Sequence, residues 1–270
     1  PVQTGVKIIN VQELCSGFAV DSSDGPIQAD YIVWAAGQFF FPREKDFPGA
    51  EYALHNSKVK DWAELEGDSF SIIGGYESGV DAALNLVNLG KNVRLISNGE
   101  PWASDHPDPS RSLSPRTLDR LRELLQDKEK AKLIDFVKDT TIKKIEEGDE
   151  FWTLRDQDDI PIASNTRPIL ANGFQSGLGL VEEFFKRDEH NLPVFSEEAD
   201  ESTITPGLFY SGPSLVHRNA LFCFIYKFRA RFGVIAAEIA NRLEVPDVEK
   251  NLENYAKAGF MNTDLDCCTS

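Results

Sequence analysis

The stretch Ser69 to Gly99, reading SFSIIGGYESGVDAALNLVNLGKNVRLISNG, constrains the fold more than any other part of the chain. Its apolar run Phe70 to Ile73 lies between acidic and glycine residues and suits a buried strand better than a helix. Gly74-Gly75-Tyr76-Glu77-Ser78-Gly79 follows as a tight turn. Val80, Ala83, Leu84 and Val87 then recur at helical spacing, and Gly90 supplies the left-handed residue on which such a helix ends. Val93-Arg94-Leu95-Ile96 reads as a second strand. Strand, glycine turn, helix and strand within ~30 residues make the βαβ unit whose helix N-terminus receives a dinucleotide diphosphate.

Each residue type has a task in that reading. The exposed amides of a helix N-terminus attract phosphate because the helix dipole favours negative charge there. Gly74 allows the sharp turn, and Gly79 lets helix and strand approach closely. Tyr76 stands where the fingerprint has its middle glycine, and a Cβ there crowds the phosphate; Gly75 supplies that freedom one residue early. The candidate contacts are therefore Gly74, Gly75, Tyr76, Glu77, Ser78 and Gly79, against the plainer alternative of an α/β packing turn. An acidic residue at the end of the second strand would hold the ribose 2′-hydroxyl of NAD. Here the chain reads Ser97-Asn98-Gly99, with Glu100 only later. Ser97 and Asn98 can donate to a 2′-phosphate, with Arg111 or Arg116 folding over it, so NADP(H) is expected. The alternative for Arg116 is an exposed place in a helix's first turn.

The 270-residue chain is consistent with one large or two ordinary domains. A net charge of −16 argues against nucleic acid and anionic membranes as partners, since both reward Lys and Arg. Cys15, Cys223, Cys267 and Cys268 form no disulfide framework, which fits a reducing cytoplasm. No apolar run reaches ~18 residues, and no signal-like start is seen. Strands are expected at Val6 to Val11, Gly17 to Val20, Ala29 to Gly37, Leu133 to Val137, Thr141 to Ile145, Phe151 to Arg155, Pro168 to Phe174 and Leu208 to Gly212. Ser114 as N-cap with Pro115 begins a helix through Leu125. A long helix is expected from Leu221 to Leu243, and a last one from Val248 to Ala258.

Ala35-Ala36-Gly37 and Ala171-Asn172-Gly173 bracket the βαβ core as glycine-ended strands, and Thr205-Pro206-Gly207 precedes a third. This arrangement resembles the two-dinucleotide-binding-domain flavoproteins of the pyridine nucleotide-disulfide oxidoreductase superfamily. Gly-Gly-x-Glu-Ser-Gly, Asp108-Pro109-Ser110, Leu113-Ser114-Pro115 and the run Ile225 to Phe232 look most like bacterial flavin-containing monooxygenase-like proteins. The resemblance implies an α/β fold, with a Rossmann-like NAD(P)-binding domain inserted in an incomplete FAD-binding domain of parallel sheet and β-meander. The domains would be residues 1–62, the later FAD part and linker; 63–165, the NAD(P)H domain; and 166–270, the return to the FAD domain. FAD and NADP(H) are the implied cofactors, with Ala36, Gly37, Gly173, Phe174 and Gly212 at cofactor-contacting strand ends. The family's usual Gly-Asp ending is Gly212-Pro213 here, so the carboxylate for the ribityl chain is not at that position. The family's first FAD-binding βαβ fingerprint has no counterpart, so a separate or missing N-terminal FAD segment is expected. A small-molecule substrate, no membrane partner, no metal and a homodimer as one assembly complete the expectation.

Other residues leave alternatives open. Phe47-Pro48-Gly49 with His55 loosely resembles a monooxygenase linker motif, giving His55 either a domain-interface role or that of a solvated loop histidine. The resemblance implies an FAD- and NADPH-dependent oxidoreductase that passes hydride from NADPH to flavin and then activates oxygen. The alternatives are thiol or metal-ion reduction and a nucleotide-binding remnant without catalysis. The absence of cysteine between Cys15 and Cys223 excludes a Cys-x-x-Cys in the nicotinamide domain. The vicinal Cys267-Cys268 pair would serve a soft metal or be an idle terminus. Cys15 and Cys223 read as small buried hydrophobes. Lys227, Arg229 and Arg231 on a greasy helix need partners, and internal carboxylates are favoured. His217 either faces a flavin or has no catalytic part.

Overall fold

A computed structural model describes residues 2–106, 108, 110–218, 220–263 and 265. In chain order the elements are β1 (Ile8–Glu13), β2 (Phe18–Ser22), β3 (Gly25–Ala29), β4 (Ile32–Trp34), β5 (Leu54–His55), β6 (Ser69–Ile73), α1 (Glu77–Asn88), β7 (Asn92–Ile96), α2 (Pro115–Gln126) and α3 (Lys128–Ala131). Then follow β8 (Ile134–Val137), β9 (Lys144–Glu147), β10 (Trp152–Arg155), β11 (Pro161–Ser164), β12 (Ile169–Leu170), β13 (Leu208–Tyr210), β14 (Val216–His217) and β15 (Ala220–Leu221). The chain closes with α4 (Ile225–Phe228), α5 (Phe232–Arg242) and α6 (Val248–Lys257). It divides into two compact units, Pro1–Phe40 with Ser176–Ser270, and Phe41–Gln175.

The second unit is built on a parallel five-stranded sheet in the order β5-β12-β6-β7-β8. Phe70, Ser71, Ile72 and Ile73 of β6 are all buried, as a strand covered on both faces requires. Val80, Ala83, Leu84 and Val87 of α1 pack with Phe70, Ile72, Val93 and Leu95 in one core, which fixes the helix against the strands it connects. A three-stranded antiparallel meander, β9-β10-β11, contributes Ile145 and Leu154 to a second core with Ile73, Ile96 and Leu170.

The first unit holds the β1-β2-β3 meander and a parallel pair, β4 with β13. The strand expected over Ala29 to Gly37 is only Ile32–Trp34, because Ala29 pairs with Phe18 inside the meander. The expected long helix also breaks: Arg229–Arg231 form a tighter turn between α4 and α5. The reason lies in the backbone ladder. Gly233 N–H donates to the Phe260 carbonyl at 2.7 Å and the Ala230 carbonyl accepts from Asn262 N–H at 2.6 Å, so both groups leave the helical pattern. No helix among the described residues is long and apolar enough to cross a membrane.

Candidate functional site

The site begins where β6 ends. Gly74 has φ +115°, and a Cβ there would lie 2.3 Å from the Ala171 carbonyl oxygen, so the turn exists only with glycine. A Cβ on Gly79 would lie 1.8 Å from the Gly74 oxygen, which is the close helix-to-turn approach that the spacing implied. A Cβ on Gly75 would meet Ser97 at 2.5 Å and Trp102 at 2.8 Å, so the missing Cβ accommodates these two side chains. Tyr76 is the residue before the helix, in extended backbone, and its side chain is exposed.

No side chain caps α1. Gly74 N–H donates to the Ile96 carbonyl, and the first helical hydrogen bond is from Val80 N–H to the Tyr76 carbonyl, so the amides of Glu77, Ser78 and Gly79 have no acceptor inside the helix. Glu77, in the first helical turn, does not take that place. Its carboxylate accepts from Ser114 N–H, from Ser114 Oγ at 3.3 Å and from Thr117 Oγ1 at 2.6 Å. Glu77 is thus a side-chain partner of α2, and only its amide remains for a bound anion.

The neighbouring strand ends complete the crevice. Gly74 follows the middle strand, β6, with β12 on one side and β7 on the other. Ser97, directly after β7, and Asn172, two residues after β12, carry buried oxygens with no hydrogen-bond partner, Ser97 Oγ and Asn172 Oδ1. Successive strands run from β6 to β7 to β8 on one side, while β12 returns on the other, which makes this the switch point of the sheet. Two orphaned acceptors or donors beside an uncapped helix N-terminus fit a polar ligand with a diphosphate. Ser97 is 3% exposed, so its hydroxyl faces the turn rather than solvent, whereas Asn98 is exposed. Arg111 and Arg116 are exposed on the loop before α2 and in its first turn.

The other strand-end residues hold protein more than they offer surface. The Gly173 carbonyl accepts from Arg43 N–H at 3.1 Å and pairs with His55 Nε2 at 2.9 Å, and the Phe174 ring meets His55 edge-on at 5.1 Å. His55 is fully buried, so the solvated-loop alternative is overturned; burial lowers its pKa. Its Nδ1 pairs with Ser57 Oγ at 2.8 Å. In the first unit Ala36 is exposed, and Gly37 has φ +69° with open space at its Cβ position. Gly212 is buried beside the Tyr210 hydroxyl, which would lie 2.7 Å from a Cβ there. Among the described residues, this unit has no glycine turn leading into an α-helix; the turn at Gly177 and Gly179 opens only the short 3-10 helix Gly179–Phe184, which does not fit a flavin diphosphate.

His217 and Arg231 meet a residue that the sequence had not singled out. Asp200 is fully buried, with His217 Nε2 at 2.6 Å and Arg231 Nη2 at 2.8 Å from Oδ1. Arg231 therefore has the internal carboxylate expected of it, Lys227 donates to the Leu221 carbonyl, and the Arg229 guanidinium lies over the Phe260 ring at 5.4 Å. Cys15 is exposed, contrary to its reading as a buried hydrophobe, and Cys223 is half-buried. No cluster of metal-binding residues occurs among the described residues. Pro109 of the resembling motif and the Cys267-Cys268 pair lie outside the described residues. The signals missed were Asp200, hidden in an acidic run, and Trp102, a lone aromatic in a polar loop.

A parallel sheet with a glycine turn at its switch point defines an α/β protein with a dinucleotide-type crevice. A family model described as pyridine nucleotide-disulphide oxidoreductase matches residues 1–212, and the chain belongs to that family. Membership implies FAD and NAD(P)H as cofactors. Bacilliredoxin reductase Bdr of Bacillus subtilis strain 168 is 26% identical over 227 residues, 83% of this chain and 66% of that protein, so the match spans just under two thirds of the relative. Bacillithiol Disulfide Reductase Bdr from Bacillus cereus superposes with TM-score 0.67 at 24% identity, over 88% of this chain and 71% of that one. An ornithine N-hydroxylase of Kutzneria sp. 744 shares the fold with TM-score 0.64 at 13% identity, over 88% of this chain and 72% of that one.

Proposed function

We propose that the chain serves an FAD- and NADPH-dependent oxidoreductase in which the second unit, the nicotinamide-dinucleotide domain, holds NADPH. The observation that carries the reading is the uncapped N-terminus of α1, reached through a turn that only glycine can make at Gly74 and Gly79. The amides of Glu77, Ser78 and Gly79 would bind the diphosphate, and Ser97 Oγ and Asn172 Oδ1 would take up polar groups at the strand ends. When bound, the nicotinamide would supply a hydride. The protein's own part is positioning and electrostatics, so no acid–base dyad is required of it.

The electron acceptor that the likeness to the bacilliredoxin and bacillithiol disulfide reductases supports is a disulfide, reduced to two thiols as NADPH and one proton are consumed. No cysteine lies between Cys15 and Cys223, so this reduction would use no redox pair within the second unit. The second reading is oxygen activation of the flavin monooxygenase kind, supported by Leu113-Ser114-Pro115 and the run Ile225 to Phe232. Loss of nicotinamide absorbance, followed with purified chain and added FAD, separates them. Anaerobic turnover that requires a small disulfide supports the first; turnover that requires oxygen and no disulfide supports the second. Neither binding nor oxidation of NADPH would overturn both.

A further inference from the structure

The carboxylate of Glu77 is placed to do more than cap a helix. It lies in the first turn of α1, beside the amides assigned to the diphosphate, yet its acceptors are spent on Ser114 and Thr117. Ser114 is the N-cap of α2, and its own Oγ accepts from Thr117 N–H. The N-terminal end of α2 is therefore satisfied by protein oxygens, while that of α1 is left open.

The segment between β7 and α2 is anchored to the glycine turn at two points. Trp102 packs so close to Gly75 that a Cβ there would lie 2.8 Å from the indole ring. Ser114 is tied to Glu77 at the other end. Arg111 sits just before the second anchor and Arg116 just after it, both exposed. Moving the anchor would move both cations relative to the amides of the turn.

We propose that Glu77 is a positioning residue for dinucleotide selectivity: by holding the start of α2, it sets the arginines where a 2′-phosphate is recognised. This rests on the reading of the α1 turn as a dinucleotide site. A carboxylate serves better than an uncharged group because it accepts several charge-assisted or short bonds at once. Glu77 itself does not touch the 2′-phosphate, and its negative charge is neutralised by the α2 end rather than presented to the ligand.

The test is calorimetric titration of the full chain with NADP+ and, separately, NAD+. If the unaltered chain binds neither, the site reading fails and the inference fails with it. If it binds NADP+ more tightly, Glu77→Gln is expected to reduce the NADP+ over NAD+ preference about fivefold, an effect within the range of charge-assisted recognition. Thr117→Val, which removes one donor with little change of shape, is expected to shift the preference in the same direction by a smaller factor. It keeps the test open should Glu77→Gln not fold. Equal weakening of both nucleotides, or an unchanged ratio with a lowered melting temperature, would show a purely structural cap and overturn the inference.

Discussion

Arg231 in the first unit and the first turn of α1 in the second both present positive charge to their surroundings, and the two are treated in opposite ways. Arg231 is 1% exposed; its Nε and Nη2 bond to Asp200, Nη1 donates to the Asn262 carbonyl and Nη2 also donates to the Glu197 carbonyl. Nothing in that cluster is left over for a ligand. The α1 terminus has no side-chain cap, and two orphaned oxygens flank it. A polar group satisfied within the chain is scaffold; one built precisely and left unsatisfied is a site. The α2 terminus is an internal control, since the same kind of helix end is there closed by Ser114 and Glu77.

The comparison breaks most sharply at Asp200. Asp200→Asn leaves the Arg231 guanidinium without its counter-charge, and a loss of about 3–5 kcal/mol of stability is expected by chemical denaturation. Affinity of the folded protein for NADP+ should be retained, because the cluster belongs to the scaffold. A selective loss of affinity without loss of stability would contradict that division.

Gly79→Ala comes next. Its methyl group meets the Gly74 carbonyl, so a cost of about 2–3 kcal/mol is expected together with loss of NADP+ binding. Retention of full affinity would place the ligand elsewhere. Ser114→Ala is expected to cost about 1 kcal/mol, the usual value of an N-cap, in a melting experiment.

His55 offers a smaller, pH-dependent effect. Burial lowers its pKa from about 6.5, so the folded state favours the neutral ring. The unfolded chain then binds more protons below pH ~6.5, and stability is complete above that value and declines as pH falls toward the folded pKa. Melting temperatures of the unaltered chain and His55→Gln measured from pH 8 to pH 5 should converge as the pH falls. A constant difference would remove the assigned cause.

Much of this was readable in the residues because it depends on local rules. The strand–turn–helix–strand order and Ser114 as N-cap are set by spacing, glycine and capping chemistry, and both are present. The interruption at Arg229–Arg231 was not readable, since it arises from backbone bonds to residues about thirty positions away, at Phe260 and Asn262. The roles of Glu77 and Gly75 were hidden for the same reason. A residue inside a phosphate fingerprint gives no sign that its side chain faces α2, or that its missing Cβ accommodates Trp102.

The amides that follow Gly75 carry the proposed dinucleotide site. Amide chemical shifts of the isotopically labelled chain, followed by NMR during titration with NADP+, should move most at Glu77, Ser78 and Gly79, with Ser97 and Asn172 changing alongside them. Saturable shifts confined to other residues, or none at concentrations up to the millimolar range, would contradict a dinucleotide site at the start of α1.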